Sequence, residues 1–296
     1  MGLPRAVVRT VLLDAVAVVL GVVGYFGVRG LTAGSPDVAV RHAADVLALE
    51  EALGLDVERG LQSALIAQES LTTVANWIYI WGHWPVIVAT LVWLAVSHRA
   101  VFRQLRDAML VSGLLGLCVY TTYPVAPPRL AGLDMIDTIA DQSGAYRVLQ
   151  PPAFVNQYAA MPSLHVGWDL LVGLALVATA STLAVRALGV VLPLAMAVAT
   201  VLTANHYVLD VLAGAALGLL GWAVAARLEH RRTCRAGVEA EVRAGASAGA
   251  VPSQQSLGRP VLALVPSAPP PPPPTGVPGV GSGARQAVGR RRGRSR

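Results

Sequence analysis

Lysine is missing from this 296-residue chain, so all 23 basic residues are arginines. No glycine-rich phosphate loop, Gly-x-Ser-x-Gly elbow or CxxC pair occurs either, which removes the usual signatures of nucleotide, serine-hydrolase and zinc-site chemistry. The two cysteines, Cys118 in an apolar run and Cys234 near the C-terminal end, exclude a disulfide framework. Charge is scarce: 14% of residues are charged against 54% hydrophobic, and mean hydropathy is +0.57. A soluble globular domain does not carry that balance, so a polytopic membrane protein is expected.

The formal charge of +6 does not mark a nucleic-acid binder. Residues 228 to 296 hold 11 of the 23 arginines and 3 of the 17 acidic residues, leaving the rest of the chain slightly acidic. Arg290, Arg291, Arg292, Arg294 and Arg296 read as a solvated tail that at most touches anionic headgroups. The expected partners are a membrane lipid substrate and the bilayer itself, with no nucleic acid, and neither a metal nor another cofactor is expected.

Six stretches are apolar enough to span, at about 11 to 30, 72 to 96, 108 to 126, 164 to 180, 183 to 204 and 207 to 226. The expected fold is all-α: a six-transmembrane helical bundle with an interfacial amphipathic helix and a disordered C-terminal tail. Residues 1–39 form the N-terminal signal anchor, 40–226 the membrane domain and 227–296 the tail, whose proline run Pro269 to Pro274 cannot build a core. Arg5 and Arg9, then Arg99, Arg103 and Arg106, then Arg186, then Arg227, Arg231, Arg232 and Arg235 fall in alternate connections. By the positive-inside rule both termini are cytoplasmic in a multi-pass plasma-membrane protein. Connections 31 to 70 and 127 to 160 then lie outside. The first carries Val46, Leu49, Leu53, Leu61 and Leu65 at helical spacing, read as a helix either at the interface or packed on the bundle.

His165, in Met-Pro-Ser-Leu-His, and His206, in His-Tyr-Val-Leu-Asp, are separated by two membrane crossings and so end at one face, here the outer one. His206 and Asp210 are at i and i+4, so the carboxylate can fix the imidazole tautomer and free the other nitrogen for attack or proton transfer. His165 supplies a second imidazole, suited to a general acid. Arg129, closing Tyr-Pro-Val-Ala-Pro-Pro-Arg, can bind two phosphate oxygens. Ser163 stands at the start of a helix whose N–H groups would attract the same anion. Asp169, four residues after His165, pairs with it or packs on a neighbouring helix. Asn76, Tyr79 and His83 share one face of the second span and are read as interhelical hydrogen bonds or as a cleft wall. Asp134, Asp137, Asp141, Arg147, Asn156 and Gln157 are placed to meet a headgroup.

Met161 to His165 resembles the second signature of the type 2 phosphatidic acid phosphatase superfamily, and His206 to Asp210, followed by Val-Leu-Ala-Gly, its third. The Tyr-Pro-Val-Ala-Pro-Pro-Arg segment, with Asn76 to Pro85, is similar to the branch containing inositol phosphorylceramide synthases. The resemblance implies that His206 becomes phosphorylated, that Asp210 orients it and that His165 protonates the leaving group. Two features depart from the pattern. The superfamily's Ser-Arg before the third-signature histidine falls on Ala199 and Thr200, and there is no Lys-x6-Arg-Pro first signature, a gap that Arg129 is placed to fill.

The expected function is a metal-independent lipid phosphatase or phosphotransferase working at the outer face through a phosphohistidine. A polyprenyl pyrophosphate phosphatase of envelope synthesis is the alternative substrate reading. A proton-coupled transporter or flippase, with His83, His165, His206 and Asp210 as relay, is the alternative from another class.

Overall fold

The computed structural model describes residue 14, residues 16–24, residue 27 and the stretches 35–139 and 156–248. Among these, every regular element is helical: α1 Pro36–Leu53, α2 Glu58–Ile66, α3 Glu69–Trp81, α4 Trp84–Ser97, α5 Arg99–Thr122, α6 Leu164–Thr179, α7 Leu183–Leu202 and α8 Val208–Ala248. A 3-10 turn at Pro128–Leu130 completes the set.

By length and composition α7 and α8 can cross a membrane, and α3 with α4 makes a third crossing if the pair counts as one. The six expected crossings are thus two or three on this measure. The span at 11 to 30 is described only at residues 14, 16–24 and 27, α6 has only 16 residues, and the 24 of α5 begin with Arg99, Arg103, Arg106 and Asp107.

The continuous helix expected over 72 to 96 is broken. Its halves, α3 and α4, bend by 42° at Gly82 and His83. Pro85 in the first turn of α4 has no N–H to continue the α3 ladder. His83 therefore precedes α4 and leaves the face that Asn76 and Tyr79 share on α3.

The amphipathic segment between the first two spans is two helices, separated by Gly54 in the left-handed region at φ 69°. Ala39, Ala43, Val46 and Glu50 form the buried stripe of α1, and its apolar members pack against Val125, Ala126, Ala160 and Tyr207. The segment thus packs on the bundle through this stripe.

The tail expected to be disordered from residue 227 is helical as far as Ala248. Ion pairs from Arg103 to Glu229, and from Arg232 to Asp107 at 2.6 Å, tie this extension to the start of α5. Composition alone did not register those partners. Residues 249–296, with the proline run, lie outside the described residues.

Two backbone contacts align the core helices. A Cβ added to Gly173 on α6 would stand 2.2 Å from the carbonyl oxygen of Gly189 on α7, and one on Gly214 of α8 only 2.0 Å from that of Ser163. The absence of side chains lets the starts of α6 and α8 touch, which brings His165 and His206 together.

Candidate active site

Ser163 begins the site without facing it. It is fully buried, its hydroxyl caps α6 by accepting the Val166 N–H at 3.4 Å, and its own N–H donates to the Asp210 carbonyl at 2.9 Å. The residue expected to bind phosphate is therefore a cap and a strut between α6 and α8, and it does not line the pocket.

That pocket lies at one end of the bundle, with His83, His165, His206, Arg129, Tyr79 and Asn156 in its wall. The imidazoles of His165 and His206 have ring centroids 5.7 Å apart. Nδ1 of His206 lies 2.8 Å from the Ala160 carbonyl oxygen. A carbonyl only accepts, so Nδ1 carries the hydrogen and Nε2 keeps the lone pair. Oδ2 of Asp210, 3.4 Å from the same Nδ1, supports that tautomer and also accepts the Tyr207 N–H at 2.9 Å.

Arg129 reaches the pocket from the Pro-Pro turn, its backbone N–H held by the Ala204 carbonyl at 3.1 Å. Its Nε donates to Oδ2 of Asp137 at 2.9 Å, which orients the guanidinium plane. It is the one arginine among the described residues of the pocket wall. Ala199 and Thr200, where an arginine would stand in the resembled pattern, are buried. The Thr200 carbonyl accepts the N–H groups of Asn205 and His206 at 3.0 and 3.1 Å, which closes the turn leading to His206.

The three cleft candidates separate. Asn76 is away from the pocket wall, bonded to Thr138 through Nδ2 to the carbonyl and Oδ1 to the hydroxyl, both at 3.0 Å. Tyr79 stacks on His165 with centroids 4.7 Å apart. His83 places Nδ1 2.8 Å from Oδ1 of Asp169 and its ring centroid 4.4 Å from that of His165. Asp169 therefore pairs with His83 rather than with the histidine four residues before it. Sequence reasoning also missed Trp84 and Trp168, which pack edge to face at 5.7 Å and give the wall an apolar side. The cluster of aromatics around His83 was the one available signal.

Residues 44–224 match the PAP2 superfamily. The chain belongs to that superfamily. Both histidines and Asp210 fall within the matched stretch, as do Arg129, His83 and Asp169. Among solved structures it resembles the crystal structure of Aquifex aeolicus LpxE, at 17% identity and a TM-score of 0.44, over 58% of this chain and 94% of that one. No curated protein matches it in sequence.

Proposed function

We propose that this PAP2 superfamily member is a membrane-embedded lipid phosphatase or phosphotransferase that works through a phosphohistidine on His206. The supporting observation is the anchoring of His206 Nδ1 by Ala160 and Asp210, with Nε2 left for attack and His165 and Arg129 in the same pocket. In the first step Nε2 attacks the phosphorus, the bond to the lipid oxygen breaks, and that oxygen takes a proton from the His165 imidazolium. In the second, neutral His165 accepts a proton from water or an alcohol, whose oxygen attacks the phosphorus and releases His206. Arg129 offers its planar fork to the phosphoryl oxygens in both steps.

The proposed outer face is supported by α5. Its 24 residues extend about 36 Å at the helical rise of 1.5 Å. Arg99, Arg103 and Arg106 sit at one end and Tyr120, which lines the pocket, near the other. With the arginine-rich end cytoplasmic, the pocket opens at the outer face.

Water as acceptor makes the protein a phosphatase, and an alcohol makes it a phosphotransferase of the inositol phosphorylceramide synthase kind. Pro127 and Arg129, from the segment similar to that branch, line the pocket and favour keeping the transfer reading. The deciding experiment incubates purified protein with labelled phospholipids, a polyprenyl pyrophosphate among them, with and without inositol or ceramide. Free phosphate marks hydrolysis and a new phospholipid marks transfer. His206→Ala is expected to abolish both, and an unchanged rate in that variant would sink the histidine mechanism.

A further inference from the structure

Three consecutive backbone N–H groups at the start of α8 each donate to a carboxylate. Tyr207 donates to Asp210 at 2.9 Å, Val208 to Oε1 of Glu58 at 2.9 Å and Leu209 to Oε1 of Glu50 at 2.7 Å. The first turn of a helix leaves such donors open, and a nearby serine or aspartate ordinarily closes them. Here two of the three acceptors come from α1 and α2, about 150 residues away in the chain. Glu50 ends the buried stripe of α1 at 0% exposure, and Glu58 opens α2 at 3%.

Carboxylates are seldom buried, and less often in pairs. Glu50 and Glu58 interact electrostatically, and Oε2 of Glu50, the oxygen not used by Leu209, is buried without a hydrogen-bond partner. Two bare charges there would repel each other, and Asp210 beside them, in a site with little water to screen them. Glu58 on α2 and Asp210 on α8 face Glu50 directly. Tyr207, with its hydroxyl buried, faces all three carboxylates and also Arg59 of α2.

We propose that Glu50 and Glu58 are positioning residues for the reaction, a buried carboxylate pair that clamps Val208 and Leu209 so that His206 and Asp210 on either side stay in register. The proposal rests on the reading of His206 as nucleophile. Neither glutamate reaches the pocket wall, so the pair acts through the backbone that carries the nucleophile. Burial, reinforced by Glu58 and Asp210 and opposed by the Leu209 N–H, pushes the Glu50 carboxyl up to about 8. As the proton leaves, the clamp becomes a cluster of like charges and the first turn of α8 loosens.

The test follows phosphate release from labelled phosphatidic acid in detergent micelles between pH 6 and pH 9, roughly bracketing that value. Glu50→Gln keeps an acceptor for Leu209 and the size of the side chain but cannot ionise. It is expected to stay near the wild-type rate at neutral pH and to lose the decline the wild type shows towards pH 8 and beyond. Glu50→Ala is expected to lower kcat about tenfold with KM little changed, because the phosphate contact at Arg129 is untouched. Coincident pH profiles for wild type and Glu50→Gln, or a wild-type kcat in Glu50→Ala, would overturn the proposal. His206→Ala run alongside separates the two failures. Activity in that variant overturns the histidine reading and the clamp with it, whereas an inactive His206→Ala with coincident profiles overturns the clamp alone.

Discussion

Asp169 holds His83 at 2.8 Å, a second buried histidine–aspartate couple beside that of Asp210 with His206. Because the His83 ring lies against His165, the couple is placed to keep that imidazole oriented. Asp169→Asn is expected to slow turnover of an alkyl phosphoester roughly ten- to a hundredfold, by analogy with other losses of acid–base support. An aryl phosphoester, whose leaving group needs no proton, should suffer much less. Equal losses on both substrates would make the couple purely structural.

Arg129 is expected to act through geometry as well as charge. Arg129→Lys retains the charge but loses the planar fork and the Nε bond to Asp137, so KM should rise nearly as far as in Arg129→Ala. Steady-state kinetics of the two variants checks this. A lysine variant with wild-type KM would show that a point charge suffices.

The close approach of α6 and α8 has a stability signature. Gly214→Ala would place a methyl group 2.0 Å from the Ser163 carbonyl oxygen, so the helices must part. Overpacking of this kind costs about 1–3 kcal/mol, and Tm should fall by several degrees. Activity should fall further than stability, because the same shift moves Ser163 away from the Asp210 carbonyl. Gly237→Ala, with open space around the added Cβ, is the control.

Stability should also depend on pH through Glu50. The unfolded side chain ionises near its ordinary 4.5, whereas the folded one keeps its proton up to about 8. Between those values the folded state binds more protons, so this group's contribution is full at the acid end, declines as pH rises and is spent above about 8. Thermal melts across that window should show the decline in the wild type, and Glu50→Gln should flatten it.

The chemistry-bearing residues were legible because their relations are local. His206 and Asp210 are four residues apart on one turn, and His165 and Arg129 stand at the ends of apolar runs. Hydropathy failed at Gly82 and His83 because a sliding average does not register a break between two apolar helices. It failed again at 227–248 because the ion pairs of Glu229 and Arg232 lie on α5, more than 120 positions away. Asp169 was legible as pairing with His165 or facing a neighbouring helix, and the second reading holds, but spacing could not name His83 as the partner. A residue four positions from His165 also faces whatever packs on the helix, and His83 arrives there only because α3 and α4 bend.

By itself the sequence determined the all-helical class, through composition and periodicity, and the pairing of His206 with Asp210, through short spacing, while the likeness to the PAP2 superfamily lay in the motifs around His165 and His206. Tertiary structure decided which carboxylate serves which group. It gave Asp169 to His83, made Ser163 a strut and brought Glu50 and Glu58 to the start of α8. The physical reason is that a buried polar group must find a partner wherever packing supplies one, and packing joins residues without regard to their distance along the chain.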